Sequence, residues 1–292
     1  MNDKQTLNYL LIIFVVTNLF LGIGNYNKYI NNYTLNQERI KSITTFLAED
    51  GITIQGELPK DHSAKSSISL IPRPISTTIR DNVVNNFFGT KRRGVTITNI
   101  MDKSDYDSLK RVYKKDAETL TFSTYQVRYY NADIARNAEK NLSKQKALGY
   151  AKEYYKKYPD DLLGKNVVII YEPVSKGAIV AYYAVYRDIP IFDSYLYMEI
   201  NDKGVYSSDM KLSEVSQRNA NTKEIYAVDQ VLFNLHQIIN KNTMIKNITL
   251  GYARENQEGT FFLTEEATPT YKVEIEGFNK PLFIDAYTNS LK

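Results

Sequence analysis

LNYLLIIFVVTNLFLGIG, residues 7–24, is an almost unbroken apolar run without a charge, and the rest of the chain is polar and tyrosine-rich. At ~1.5 Å of rise per residue a helix over this run is about 27 Å long, close to the ~30 Å of a bilayer's hydrocarbon core. The competing reading is a cleaved secretory signal. Such signals carry a shorter apolar region and small residues at the cleavage site. Here Leu19, Phe20 and Leu21 are bulky, while Gly22 and Gly24 leave a weaker cleavage possibility. The run therefore predicts a retained transmembrane signal anchor lodged in the lipid bilayer of the cell membrane. Lys4 lies on its short leading side and a long hydrophilic body follows. That arrangement predicts a single pass with the N-terminus cytoplasmic and the body extracellular.

Within the run, Asn8, Leu11, Val15, Asn18 and Gly22 recur at alternating spacings of three and four residues. At ~100° per residue they share an arc of about 80°. Asn amides in hydrocarbon seek hydrogen-bond partners, and Gly lets a second backbone come close. This stripe is the expected transmembrane contact with a partner helix. The alternative is that the two Asn sit near the interfaces and are merely tolerated there.

The residues outside the anchor limit the function classes. The formal net charge is +4 and no segment concentrates it as a nucleic-acid site would, so no nucleic-acid partner is expected. The chain has 0 Cys, so an exported body must be held by packing and not by disulfides. Its 24 Tyr against 0 Trp suit half-buried strand faces.

Along the chain, Thr34 and Gln37 match a capping box that opens a juxtamembrane stalk helix ending at Gly51. Residues 52–58 alternate as a strand, and residues 61–74 read as a loop or ragged edge strand. Residues 78–88 predict a helix closed by Gly89, and Lys91-Arg92-Arg93-Gly94 a basic turn. Residues 95–101, 108–115 and 118–130 read as a meander, residues 133–158 as a helix, and 166–171, 178–187, 195–201 and 205–212 as strands, with an interruption at 188–190. Residues 227–239 form the clearest amphipathic helix, ahead of strands at 245–252, 268–275 and 282–287. A helix followed by an antiparallel meander thus recurs about three times, which predicts an α+β fold. The expected division is a cytoplasmic tail over 1–6, the transmembrane anchor over 7–24, a juxtamembrane helix over 25–50, a membrane-proximal α+β domain over 51–131 and a distal α+β domain over 132–292.

A search for chemistry returns little. The 2 His stand apart, His62 in a loop and His236 in a helix, and neither belongs to a metal-ligand spacing. Ser-x-x-Lys occurs at Ser143…Lys146 and Ser208…Lys211. The spacing serves penicillin-interactive enzymes only on a helix and with companion motifs that are missing here. Asp160-Asp161 after Pro159 reads as a turn. No enzyme activity, cofactor or metal is expected.

One family resemblance covers most of the chain. Asn18-Leu19-Phe20-Leu21 closing the anchor, Leu47 to Ile52 at the start of an AEDGI–TIQGELP segment and Leu58-Pro59 at its end resemble the YycI family of Gram-positive regulatory proteins with a YycH-like domain. The helix over 227–239, with Thr268-Pro269-Thr270-Tyr271 and Phe283-Ile284-Asp285-Ala286 after it, is similar to the wider PepSY-like pattern. The resemblance implies a non-enzymatic accessory protein of a two-component system in cell-wall homeostasis. Its partners would be the membrane helices of a sensor histidine kinase and a YycH-like sister protein. The alternative in the same setting is an extracytoplasmic PepSY-like binding module for a peptide, protease or wall polymer.

Overall fold

The computed structural model describes residues 3–101, 109–136, 142–159, 162–256, 263–278 and 280–292. Its elements are α-helices and a mostly antiparallel sheet, so the α+β class holds. Contacts group the chain into two units. The first, the anchor unit, comprises Met1–Lys65, Lys223–Thr249 and Val273–Leu291; the second, the sheet unit, comprises Ser66–Thr222 and Leu250–Lys272, with Lys292. The expected boundary between residues 131 and 132 therefore does not divide the body, and the reason lies in strand pairing described below.

In the anchor unit, α1 (Asp3–Tyr33) is one continuous helix, so the helix runs past the expected anchor end at Gly24 through the residues assigned to the juxtamembrane segment. The Asn-rich segment after the apolar run is a weak helix former. Adding residues to an existing helix is nevertheless far easier than nucleating a new one. α2 (Gln37–Glu49) follows after three residues. Its N-cap is Asn36, whose side chain accepts from Arg39 N at 2.9 Å; Thr34, the expected cap, instead bridges to Asp61. α2 ends as expected at Gly51, with φ +72°. Gly51 N donates to the Ala48 carbonyl and Ile52 N to that of Leu47, the paired bonds of a Schellman close. The strand expected over 52–58 shrinks to β1 (Thr53–Ile54), parallel to β12 (Met244–Arg254). At Gly56 a Cβ would stand 2.9 Å from the Lys246 carbonyl oxygen, so no side chain fits where the segment crosses β12.

α6 (Val228–Leu235) buries Val228, Val231, Leu232 and Leu235 beside Ile43 and Leu47 of α2. The two helices are tied by polar groups at both ends. Arg39 donates through Nε and Nη2 to the two Asp229 carboxylate oxygens, each at 2.7 Å. At the other end Asp50 meets His236 Nε2 and Lys241 Nζ at 2.5 Å. β13 (Glu265–Ile275) ends in this unit, and β14 (Leu282–Asp285) pairs with it.

The sheet unit opens with β2 (Ile68–Pro72) and α3 (Thr77–Phe88), capped by Ser76. The expected meander has β3 (Thr96–Met101) and β4 (Leu109–Lys115), but the single strand expected over 118–130 turns back on itself at residues 123–125 and forms two antiparallel strands, β5 (Glu118–Phe122) and β6 (Gln126–Asn131). Ser108, expected in β4, and Asp160-Asp161, expected as a turn, lie outside the described residues. The helix expected over 133–158 is seen as α4 (Ala132–Arg136) and α5 (Lys144–Tyr155), with residues 137–141 outside the described set. Then come β7 (Val167–Val174), β8 (Gly177–Tyr186), β9 (Ile189–Asn201), β10 (Gly204–Lys211) and an unforeseen β11 (Ser213–Arg218). The expected interruption at 188–190 is a tight turn carried by Arg187 and Asp188 at φ +50° and +64°, and Pro190 already lies in β9 opposite Val185.

β6 pairs antiparallel with β10, from Ser207↔Tyr130 to Lys211↔Gln126. That ladder fuses the first meander to the second, which is why residue 131 marks no boundary. The shared core takes Val83 and Val84 from α3, Ala147, Ala151 and Tyr154 from α5, and Leu120, Val127, Met198 and Met210 from the strands.

Candidate functional site

The expected stripe lies on α1. The span from Asn8 to Lys28 is long and apolar enough to cross a membrane, and none of it is buried; Phe20 is 72% exposed. A helix that is apolar all round and has no protein cover is built for lipid or for another helix. Along one side Phe14, Val15, Asn18, Leu19, Gly22, Ile23 and Tyr26 line a shallow, open groove of about 710 Å³. Gly22 borders open space there, since a Cβ would meet nothing within 4 Å. Asn8 and Leu11 share the stripe's helical spacing but do not line the groove. Asn18 Nδ2 donates back to the Phe14 carbonyl at 2.9 Å, which satisfies one of the amide's two donor hydrogens within its own helix. Sequence spacing does not reveal that bond.

The residues weighed for catalysis have structural partners. Ser143 is the N-cap of α5, accepting from Lys146 N at 3.4 Å, and Lys146 Nζ donates to the Asp202 carbonyl at 3.2 Å. The Ser-x-x-Lys spacing there is a helix start. Ser208 lies buried under α5, its Oγ 2.7 Å from the Tyr154 hydroxyl. His62 Nε2 contacts the Asn32 carbonyl oxygen at 3.0 Å. His236 lies tilted against Phe46, with ring centroids 4.9 Å apart, and holds Asp50. The hydrogen bond from Lys241, and then that from His236, keep the Asp50 carboxyl below its ordinary value. Among the described residues no three His, Cys, Asp or Glu gather where they could hold a metal ion.

A second surface was not read from the sequence. Because Ser208 turns toward α5, its neighbours Ser207 and Asp209 turn to the opposite face of the sheet. There they stand in register with Tyr130 and Arg128 of β6 and with Glu199 and Tyr197 of β9. Together with Thr119 and Thr121 they line a groove of about 460 Å³. Gln126 Nε2 donates to both Asp209 oxygens at 2.6 and 2.8 Å. Burial pushes the Asp209 carboxyl up, against the opposing pull of that amide and of Arg128. Burial also raises the Tyr195 hydroxyl. The face offers tyrosine rings and hydrogen-bonding groups, a combination suited to binding. Its signal in the sequence was the alternation of Tyr195 with Tyr197 and of Arg128 with Tyr130, which identifies a polar face only once the strands are paired.

No family model matches the chain, and no curated protein matches it. Among solved structures it is similar to an uncharacterized protein from Eubacterium rectale ATCC 33656, at 13% sequence identity and a TM-score of 0.53 over 83% of this chain and 91% of that one. At that identity the likeness shows a shared fold.

Proposed function

We propose that this is a single-pass membrane protein, N-terminus cytoplasmic and body extracellular, that regulates a cell-wall-sensing histidine kinase. It uses its transmembrane helix together with its outer domain, alongside a YycH-like sister protein. The observation that carries this reading is the groove on α1 at Val15, Asn18 and Gly22, on a helix none of whose span is covered by its own protein. The kinase comes from the YycI resemblance. An interhelical contact through Asn is worth only ~0.6–2 kcal/mol. Since about 1.4 kcal/mol changes an equilibrium tenfold, that suffices to bias a two-state receptor. Asn18→Leu combined with Gly22→Leu fills the groove and removes its polar group. Transcripts of wall-hydrolase genes should then shift by several-fold while the amount and placement of the protein stay normal. Unchanged transcripts, with the variant helix inserted, would make α1 a plain tether.

A second reading draws support from the tyrosine-lined sheet face, namely a PepSY-like module that binds a peptide, protease or wall polymer. Under it, Arg128→Ala with Tyr197→Ala abolishes the cellular effect and the α1 variant does not.

A further inference from the structure

We propose that β3 is a strand-addition site that takes an extended, acidic segment of a partner protein. The starting point is how differently the sheet unit treats its free strand edges. β11, at one end of the sheet, carries Glu214 and Arg218 and has a register break between Val215 and Gln217. β7, which pairs only with β8 among the described strands, carries Glu172 and Pro173. Charges, proline and bulges are the usual means of stopping an edge from recruiting another strand. β3, at the other end, has none of them. Its sequence TITNIM holds no charge and no proline, and its ladder with β4 runs without a break from Thr96↔Lys114 to Met101↔Leu109. All six residues are exposed, with Ile97 at 51%, Ile100 at 48% and Met101 at 69%.

An antiparallel edge residue turns its N–H and C=O either to its neighbour or to open space, in alternation. Among the described residues no strand pairs with the outer side of β3, which therefore offers a row of backbone groups at every second residue, flanked by apolar side chains. That is the template for β-augmentation.

The charge behind the edge selects the occupant. β4 carries Lys110, Arg111, Lys114 and Lys115, with Lys110 opposite Ile100 and Lys114 opposite Thr96. Arg111 Nε reaches forward to Asn99 Oδ1 at 3.2 Å. A strand added to β3 would run roughly 10 Å from β4, within reach of lysine and arginine side chains. Carboxylates on that strand are attracted and ammonium groups repelled. A second copy of this chain would bring the same four cations to the junction and is disfavoured for that reason. Side chains on one face of the incoming strand lie beside Ile97 and Met101 and should be apolar. Those on the other face lie toward Lys110 and Lys114 and should be acidic.

The test uses the full chain in lipid nanodiscs and a fluorescent Glu-Val-Glu-Ile-Glu-Val-Glu peptide. A Lys-Val-Lys-Ile-Lys-Val-Lys peptide is the control. The acidic peptide should bind at least tenfold more tightly and weaken as salt is raised. Alternate backbone amides within residues 96–101 should gain protection from hydrogen exchange. Of Ile97→Pro and Thr98→Pro, one removes an outward N–H and leaves the β3–β4 ladder intact. That folded variant should lose binding at least tenfold, whereas the other loses a ladder bond. Equal binding of the two peptides, protection confined to other strands, or undiminished binding by both proline variants would overturn the proposal. So would concentration-dependent self-association that protects β3 without peptide, which would assign the edge to a second copy.

Discussion

α1 and α6 belong to the same unit and are both rich in apolar residues, yet they place them in opposite surroundings. α6 carries Asp229, Gln230 and Asn234 on one side and fully buries Val228, Val231 and Leu232 on the other. α1 has no polar side of that kind, and Tyr9, Leu11, Ile13, Phe14 and Phe20 are all well exposed. The difference separates two solvents. An amphipathic helix is stabilised by the protein it covers, at roughly 25 cal/mol per Å² of apolar surface removed from water. A helix apolar on every side gains nothing from this body and everything from a hydrocarbon phase. In that phase burial no longer distinguishes one side of the helix from another. Under the proposed recognition, the positions that distinguish one side from lipid carry it, and on the grooved side of α1 these are Asn18 and Gly22.

The largest effect expected from breaking this contrast is on folding. Leu232→Ala on α6 should cost about 2–5 kcal/mol, because it leaves a cavity in a packed site. Phe20→Ala removes a larger side chain from α1 and should change the body's stability by less than about 0.5 kcal/mol. Denaturant unfolding of the full chain in detergent, followed by circular dichroism, checks both. Equal losses would mean that α1 packs on the body.

A second effect reverses the roles of the two helices. Val16→Arg puts a charge near the middle of the apolar run and should weaken membrane insertion by about 2.5–3.5 kcal/mol on translocon scales. Phe233→Arg, at an exposed position of α6, should leave partition unchanged. Carbonate extraction of membranes reads the outcome for each variant.

The smallest effect concerns the polar tie at the end of α6, for which α1 has no counterpart within its span. The Asp50 carboxyl titrates below 3.8, held there by Lys241 first and His236 next. On acidification the unfolded chain therefore takes up this proton before the folded one does. The stability contributed is complete above about pH 3.8 and is lost as pH falls through the folded value. Asp50→Asn should lower the unfolding midpoint slightly at pH 7, and the gap to the parent chain should close as the pH drops below that range. A gap that stays constant with pH would mean Asp50 acts by shape alone.

Legibility in the sequence followed the range of the interactions involved. The apolar run, the α6 stripe from Val228 to Leu235 and the Gly51 close are local patterns found where their residues place them, although the helix expected over 227–239 stops at Leu235 and leaves Ile239 beyond it. Boundaries that depend on context shifted. α1 runs on to Tyr33 through Asn-rich sequence because the helix was already nucleated, and Asn36 displaced Thr34 as cap. Pairings between distant segments were hidden. Nothing in QVRYYN or GVYSSDMK says that Tyr130 stands opposite Ser207, so neither the fused sheet nor its tyrosine-lined face was legible. β11 was missed because Ser213, Ser216 and Gln217 give it no apolar alternation. β3 could be read as a strand, but its place at the edge depends on which strands the others choose.

Site-directed photo-crosslinking in intact membranes distinguishes a recognising helix from a tether. A benzophenone side chain is placed singly at Val15, Asn18 and Gly22, and at Ile13 and Phe20 on the opposite side of α1. If the grooved face of α1 meets a partner helix, the first three positions should give one common adduct of histidine-kinase mass, and the other two should give little or none. Equal yields from both sides, or adducts with lipid alone at all five, would contradict recognition through α1 and leave regulation to the body.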